Sequence, residues 1–167
     1  MPEVIVALGA NVGSPERQIQ QAMDRLESLA MGSISRSSLW RSEPVGMNDQ
    51  SGAFVNAVVA FDTQLGSELL LSALQSLEVE MGRPFVHLKN VARAMDLDLI
   101  TYGLEEIKTL GLEVPHPRTA ERLFVLLPLA EIRPEFILPG QQLQIDVLIE
   151  LAPPIEISPL PKAPLLL

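Results

Sequence analysis

Two carboxylates one residue apart, in Asp96-Leu97-Asp98-Leu99-Ile100, are the side chains of this sequence best suited to hold a divalent cation. The alternating leucines indicate a strand. On a strand, positions i and i+2 project from the same face, with α-carbons roughly 6–7 Å apart. Leu97 and Leu99 then point the other way, into a core. Like charges at that spacing repel unless water surrounds them or a cation sits between them. Mg2+ commonly takes one or two carboxylates and completes its shell with water and phosphate oxygens. A solvated strand face has the same pattern, so the neighbours have to decide.

The neighbours are cations. Arg83 and Arg93 flank the run leading into the strand, and His116 and Arg122 follow it in Val114-Pro115-His116-Pro117-Arg118-Thr119-Ala120-Glu121-Arg122. Arginine grips phosphate through two parallel N–H groups, and a histidine can donate to one oxygen. Cations beside a metal-holding carboxylate pair make sense if a polyphosphate bridges them. A second group surrounds Asn56, which sits in the apolar run Phe54-Val55-Asn56-Ala57-Val58-Val59-Ala60-Phe61. A buried amide must find partners. It can serve the fold, or it can read a planar heterocycle through its paired donor and acceptor. Phe54 lies on the same face and could stack on such a ring, with Phe124 on the other side. The segment Gly9–Ser14 has neither the Gly-Lys-Ser/Thr of a phosphate loop nor the Gly-x-Gly of a dinucleotide fingerprint, and reads as a structural turn.

These residues need a scaffold. Residues 3–8 read as a buried strand. Ser14-Pro15-Glu16 starts a helix, with Ser14 as N-cap and Pro15 in the first helical position. Ile19, Ala22, Met23, Leu26, Leu29 and Ala30 give it one apolar face, and Gly32 ends it. Residues 33–41 read as a second strand, 42–52 as a loop and 54–61 as a third strand. A second helix runs from Gly66-Ser67 to Gly82, with Leu70, Leu74, Leu77 and Met81 inward. Residues 96–102 form a fourth strand, and 119–131 are helical. This order suggests an α+β, ferredoxin-like βαββαβ core with a mostly antiparallel sheet and helices packed on its faces. One domain is expected over residues 1–151, followed by an extended proline-rich tail over 152–167.

Composition narrows the setting. The 167 residues suffice for one core, and with 47% hydrophobic but only 4% aromatic residues that core must be aliphatic. The absence of cysteine excludes disulfides and thiolate metal sites. The N-terminal residues lack the pattern of a secretory leader, and no run approaches the roughly 20 apolar residues of a membrane span. A cytoplasmic protein with no membrane partner is expected. The net charge of −9 argues against a nucleic-acid partner and requires that any phosphate site gather its cations locally.

Taken together, these motifs resemble the 6-hydroxymethyl-7,8-dihydropterin pyrophosphokinase family of folate biosynthesis. The resemblance covers roughly residues 3–140. It rests on Leu8-Gly9-Ala10-Asn11-Val12-Gly13, on Ser37-Ser38-Leu39-Trp40-Arg41-Ser42-Glu43-Pro44-Val45-Gly46 and on Phe54–Val59. It continues through Leu77-Glu78, Gly82-Arg83, Asp96–Ile100 and Val114–Arg118, and ends with Glu121-Arg122-Leu123-Phe124-Val125-Leu126-Leu127-Pro128-Leu129. It implies an enzyme that moves pyrophosphate from ATP to the hydroxymethyl group of the dihydropterin and releases AMP. Asp96 and Asp98 would bind two Mg2+ ions and, with Arg83 and Arg93, carry catalysis. Arg83, Arg93, His116 and Arg122 would contact the triphosphate, with Gln75 and Leu99 as further ATP-contacting positions. Ser42, Val45, Phe54, Asn56 and Phe124 would form the pterin pocket. ATP and the dihydropterin would be the only partners of a monomer.

The loop before the aspartates departs from the family pattern. Members usually carry Arg-Trp-Gly-Pro-Arg where this chain has Lys89-Asn90-Val91-Ala92-Arg93, and Phe85 replaces a frequent arginine. Gly111 falls where some members place a basic residue. In the family this loop closes over the substrates. A lid without the tryptophan excludes water less well. One rival expectation is therefore a pterin- or nucleotide-binding homologue with impaired catalysis; another is a ferredoxin-like regulatory module, which leaves the gathered Asp and Arg residues without a purpose. One charge-assisted contact is worth about 1.5–3 kcal/mol, roughly ten- to hundredfold in rate. Grafting Arg-Trp-Gly-Pro-Arg onto positions 89–93 is expected to raise the single-turnover rate within that range; an unchanged rate would show the native loop to be no handicap.

Overall fold

The computed structural model describes residues 1–44, 52–82 and 95–161. Three apolar runs form the centre of the sheet: β1 (Glu3–Ala10), β4 (Phe54–Asp62) and β5 (Asp96–Tyr102). Their apolar residues fall on both sides because helices cover both faces, apart from Asn56, Asp96 and Asp98 on one of them. β1 pairs antiparallel with β4 on one side and β5 on the other. The outer side of β4 is taken by β2 (Met31–Arg36) and β3 (Trp40–Ser42), and β8 (Ile157–Pro159) pairs beyond β3. The order β5-β1-β4-β3-β8 contains the ferredoxin-like βαββαβ arrangement read from the sequence. Every pairing in the sheet is antiparallel.

Helices α1 (Pro15–Leu26) and α2 (Ser67–Glu80) cover one face, packing on Val4, Val6, Leu8, Val59, Phe61, Leu97 and Leu99. The other face is partly covered by α3 (Leu123–Ile132) and α4 (Ile145–Leu151), whose apolar residues meet Ile5, Ala7, Val58, Ala60 and Ile100. A small hairpin, β6 (Ile107–Lys108) with β7 (Glu113–Val114), precedes α3. No helix among the described residues is long and apolar enough to cross a membrane.

Several boundaries differ from the sequence reading. The first helix ends at Leu26 and continues as a single 3-10 turn, Glu27–Leu29. Gly32 does not terminate it. Gly32 lies within β2 at φ 84°, where the register against β4 slips between Met31 and Ser35, and this bulge needs the left-handed conformation glycine tolerates. Ser14 precedes α1, but its carbonyl rather than its hydroxyl receives a helical N–H, from Gln18 at 3.0 Å. The strand expected over 33–41 is broken at residues 37–39. Ser37 both donates its N–H to the Val58 carbonyl and accepts the Val58 N–H on its own hydroxyl, each at 2.9 Å, so a side chain replaces the ladder there. Within the proline-rich segment expected as a tail, Ile157–Pro159 joins the sheet as β8, and residues 162–167 lie outside the described residues.

The carboxylate-bearing strand is anchored from the helix side. β5 is an edge strand, and edges leave backbone groups unpaired. The Leu97 N–H, between the two aspartates, donates to the Glu78 carboxylate of α2 at 2.8 Å, and Glu78 is 6% exposed. Glu78→Ala is expected to lower the unfolding free energy by about 1–3 kcal/mol, the cost of orphaning a buried donor. Glu78→Gln, which keeps an acceptor oxygen, is expected to lose less. Urea denaturation of the two variants checks the order.

Candidate active site

Strand alternation puts the polar residues of β5, β4 and β3 on one face, the face of α3. Asp96 and Asp98 are half-buried between the buried Leu97 and Leu99. In register, Asp96 stands opposite Gly9, Gly9 opposite Asn56, and Asn56 opposite Trp40. One row along, Asp98 faces Ala7 and Ala7 faces Val58. Asp96 and Asn56 are thus two strand spacings apart, about 10 Å. Only Gly9 lies between that pair, with Ala7 beside it in the next row. The floor between carboxylates and amide is therefore low.

Gly9 is the residue that sequence reasoning missed. It lies within β1, next to its last residue, rather than opening a turn. A methyl group there would stand 3.6 Å from Asn56 Oδ1. A larger side chain would fill the gap between Asn56 and Asp96. A glycine inside an otherwise bulky strand was the available signal, since it marks a place where something approaches the backbone closely.

Asn56 is buried and oriented. Its Nδ2 donates to Ser42 Oγ at 2.8 Å and to the Trp40 carbonyl at 3.3 Å. Both donor hydrogens are spoken for, and Oδ1 is turned toward Gly9 and the middle of the site. Ser42 is paired in register with Phe54, so Ser42, Phe54 and Asn56 form one wall, braced from behind by the Trp40 main chain. Phe124, in the first turn of α3, stands above the same face, and the Arg122 guanidinium lies over its ring at 5.4 Å from the centroid. That contact joins the aromatic and the cationic parts of the site.

A bulge brings in the histidine. Val6 pairs with Leu99 and Ile5 with Thr101, leaving Ile100 as the extra residue in β5. The Ile100 carbonyl accepts the His116 N–H at 2.9 Å, so the irregularity in the aspartate strand is what holds the histidine loop beside it. His116 Nδ1 accepts the Arg118 N–H at 3.4 Å, which leaves Nε2 as the free ring donor in the neutral form. Burial lowers the His116 pKa below its usual value, helped by the positive charges of Arg122 and Arg118 and opposed by Asp96 and Glu113. Burial likewise lowers that of Arg122, with Arg118 adding to the effect and Asp98, Asp96 and Glu121 opposing it. The two acids and the cations of this loop therefore sense one another across the same space.

The remaining residues named from the sequence fall elsewhere. Leu99 is 4% exposed and packs under α1 and α2, so any outward contact from it runs through its main chain. Gln75 is exposed on α2, one turn before Glu78, on the far side of the sheet from the carboxylates. Val45, Arg83, Arg93 and the loop 84–92 lie outside the described residues.

Known proteins give matching results. A family model described as 7,8-dihydro-6-hydroxymethylpterin-pyrophosphokinase matches residues 5–134. The chain is 42% identical over 137 residues to the 2-amino-4-hydroxy-6-hydroxymethyldihydropteridine pyrophosphokinase of Pseudomonas aeruginosa, covering 81% of this chain and 83% of that one. It is 41% identical over 128 residues to the Bacillus subtilis enzyme of the same name, covering 76% and 75%. Its fold is similar to the crystal structure of Plasmodium falciparum HPPK-DHPS with pteroate, at TM-score 0.70 and 15% identity, covering 89% of this chain and 42% of that longer one.

An NMR titration of the free protein is expected to place the His116 midpoint below 6.5, so that the ring is neutral at pH 7. Arg118→Gln removes a like charge and is expected to raise that midpoint. A midpoint at or above 6.5 in the parent protein would contradict the lowered pKa.

Proposed function

Because the chain belongs to the 7,8-dihydro-6-hydroxymethylpterin-pyrophosphokinase family, we propose that Asp96 and Asp98 form the metal end, and Asn56 the pterin end, of one site on the α3 face of the sheet. The chain is an enzyme of folate biosynthesis that transfers pyrophosphate from ATP to the hydroxymethyl group of 6-hydroxymethyl-7,8-dihydropterin, with AMP as the leaving group. The observation that carries the site assignment is the register row Asp96–Gly9–Asn56, which separates the two ends by about 10 Å of open floor. A bicyclic ring anchored at Asn56 spans most of that gap and directs its substituent at the aspartates.

The donor set suits Mg2+. Two half-exposed carboxylates on one strand face belong to no larger ligand cluster among the described residues, and a hard cation there completes its shell with water and phosphate oxygens. Bound Mg2+ would neutralise charge on the polyphosphate and favour deprotonation of a hydroxyl that touches it. The protein's own residues do the rest. His116 offers Nε2–H as a neutral donor to a phosphate oxygen, and Arg122 offers a cation held against Phe124. Arg83 and Arg93 are proposed to add two more from outside the described residues. Asn56 Oδ1 accepts from the donor edge of the heterocycle, Ser42 fixes that amide, and Phe54 and Phe124 take the ring between them.

Chemistry then follows from position. The hydroxyl oxygen forms a bond to the β-phosphorus, the bond from that phosphorus to the α–β bridging oxygen breaks, and AMP departs with that oxygen. The hydroxyl proton leaves to solvent. No covalent enzyme intermediate is needed, so rate comes from alignment and charge neutralisation. The domain expected over residues 1–151 is taken to do this together with β8, which pairs with β3.

Asp96→Ala and Asp98→Ala are each expected to lower kcat/KM by about 100- to 1,000-fold, the scale set by losing one preorganised electrostatic contact. Steady-state AMP release, with circular dichroism to establish folding, measures it. Unimpaired turnover in either variant would remove the basis of the site.

A further inference from the structure

The carboxylate of Glu131, near the C-terminal end of α3, gathers donors from the other side of the site. It accepts the Ser38 N–H at 3.0 Å on each oxygen, the Ser38 hydroxyl, and the Trp40 Nε1–H at 3.0 Å. Ser38 lies in the break between β2 and β3, where the ladder has been replaced by side-chain bonding. Trp40 starts β3, and its main-chain carbonyl accepts from Asn56 Nδ2. One carboxylate is therefore bonded to the strand whose next same-face residue is Ser42.

The same carboxylate belongs to the helix that carries Phe124. Phe124 and Glu131 are seven residues apart, which puts them on one face of α3, two turns and about 10 Å from each other. Fixing Glu131 fixes the rotation of α3 about its axis. A turn of the helix by one residue, about 100°, would take Phe124 off the sheet face altogether. The C-terminal end of α3 is tied down a second time. Arg133 donates to the Glu3 carboxylate at 2.8 and 3.1 Å and to Ser35 Oγ at 3.3 Å, so the helix is anchored at this end while its first turn projects over the site.

We infer that Glu131, acting through the Trp40 indole and Ser38, is a positioning residue that sets the gap between the Ser42–Asn56 wall and Phe124, and so controls binding of the pterin rather than of ATP. The inference rests on the reading of Asn56 and Phe124 as the pterin side. On that reading Glu131 acts through Ser38 and Trp40 rather than on a substrate. Its bonds are exposed, which limits their strength. They matter because they join α3 to the break before β3, beyond the packing of Val125, Leu126 and Leu129 on the sheet.

Trp40 is the single tryptophan of the chain, so its indole N–H gives one assignable resonance. Two variants test the inference. Glu131→Ala removes the acceptor, and Trp40→Phe keeps a ring and removes the donor, which guards against a fold failure in either. Each is expected to raise the KM for hydroxymethyl-dihydropterin about two- to fivefold, as an exposed charge-assisted contact can, with the KM for ATP and kcat unchanged. In Glu131→Ala the indole N–H resonance is expected to move, and in the parent protein it is expected to shift again on adding the pterin alone. An unchanged pterin KM, or pterin and ATP constants rising together, would overturn the inference. Asn56→Ala separates the two levels. If its pterin KM rises tenfold or more while the Glu131 variant is silent, the positioning role is wrong and the site assignment stands. If Asn56→Ala is silent too, the site assignment fails and the inference falls with it.

Discussion

Alternation along a pleated strand is the constraint on which this site depends. Asp96 and Asp98 share a face only because Leu97 and Leu99 take the other, and the leucines are held there by the core under α1 and α2. The same rule sends Asn56 to the aspartates' face while Val55 and Ala57 go inward with the leucines. A slip of one residue in either pairing of β1 would put the carboxylates and the amide on opposite sides of the sheet. Burial of ordinary aliphatic residues thus decides where the polar chemistry stands.

Within that frame, charge is arranged by exception rather than by composition. The chain carries a net charge of −9, yet in the loop after β7 burial lowers the proton affinity of His116 and Arg122, with Arg122 and Arg118 adding to the effect on His116 and Arg118 to that on Arg122. Cations so placed repel, and the neighbouring aspartates only partly offset this. A polyanion with its divalent ion would relieve both sets of like charges at once, since it presents negative oxygens to the cations and positive charge to the acids. The bulge at Ile100 is what makes the arrangement possible. It interrupts the aspartate strand at one residue and uses the released carbonyl to hold His116.

Most of the central scaffold was legible in the sequence because its signals are local. The apolar runs of β1, β4 and β5, and the helical spacing of Ile19, Met23 and Leu26 or Leu70, Leu74 and Leu77, each fit in one window. The pairs Asp96 with Asp98 and Phe54 with Asn56 were legible for the same reason. What was not legible depends on partners far along the chain. Gly32 is a bulge glycine only because β4 lies opposite it, and the strand over 33–41 breaks only because Ser37 finds Val58. Gly9 matters through Asn56 and Asp96, neither within forty residues of it, and Glu78 through the backbone of Leu97. The short α4, β6 and β7 offer too few residues for a period to show.

The two ends of the site are not supported equally, and this explains where the chain has invested its extra contacts. The aspartates ride on a strand paired along its length with β1 and fastened to α2 by Glu78. Ser42 and Trp40 ride on β3, which has only three residues and follows directly on a break. A strand that short has few ladder bonds of its own and would fray at its free edge. Two additions hold it. β8 pairs with all three of its residues, with further bonds from Glu43 N–H to Glu156 and from Leu160 N–H to Leu39, and Glu131 grips it from above. The first fixes β3 within the plane of the sheet and the second fixes it against α3. The C-terminal extension and the end of α3 lie far from the reacting groups, yet they stabilise the weaker of the two walls. A segment whose composition reads as a tail therefore belongs to the architecture that keeps Asn56 in place.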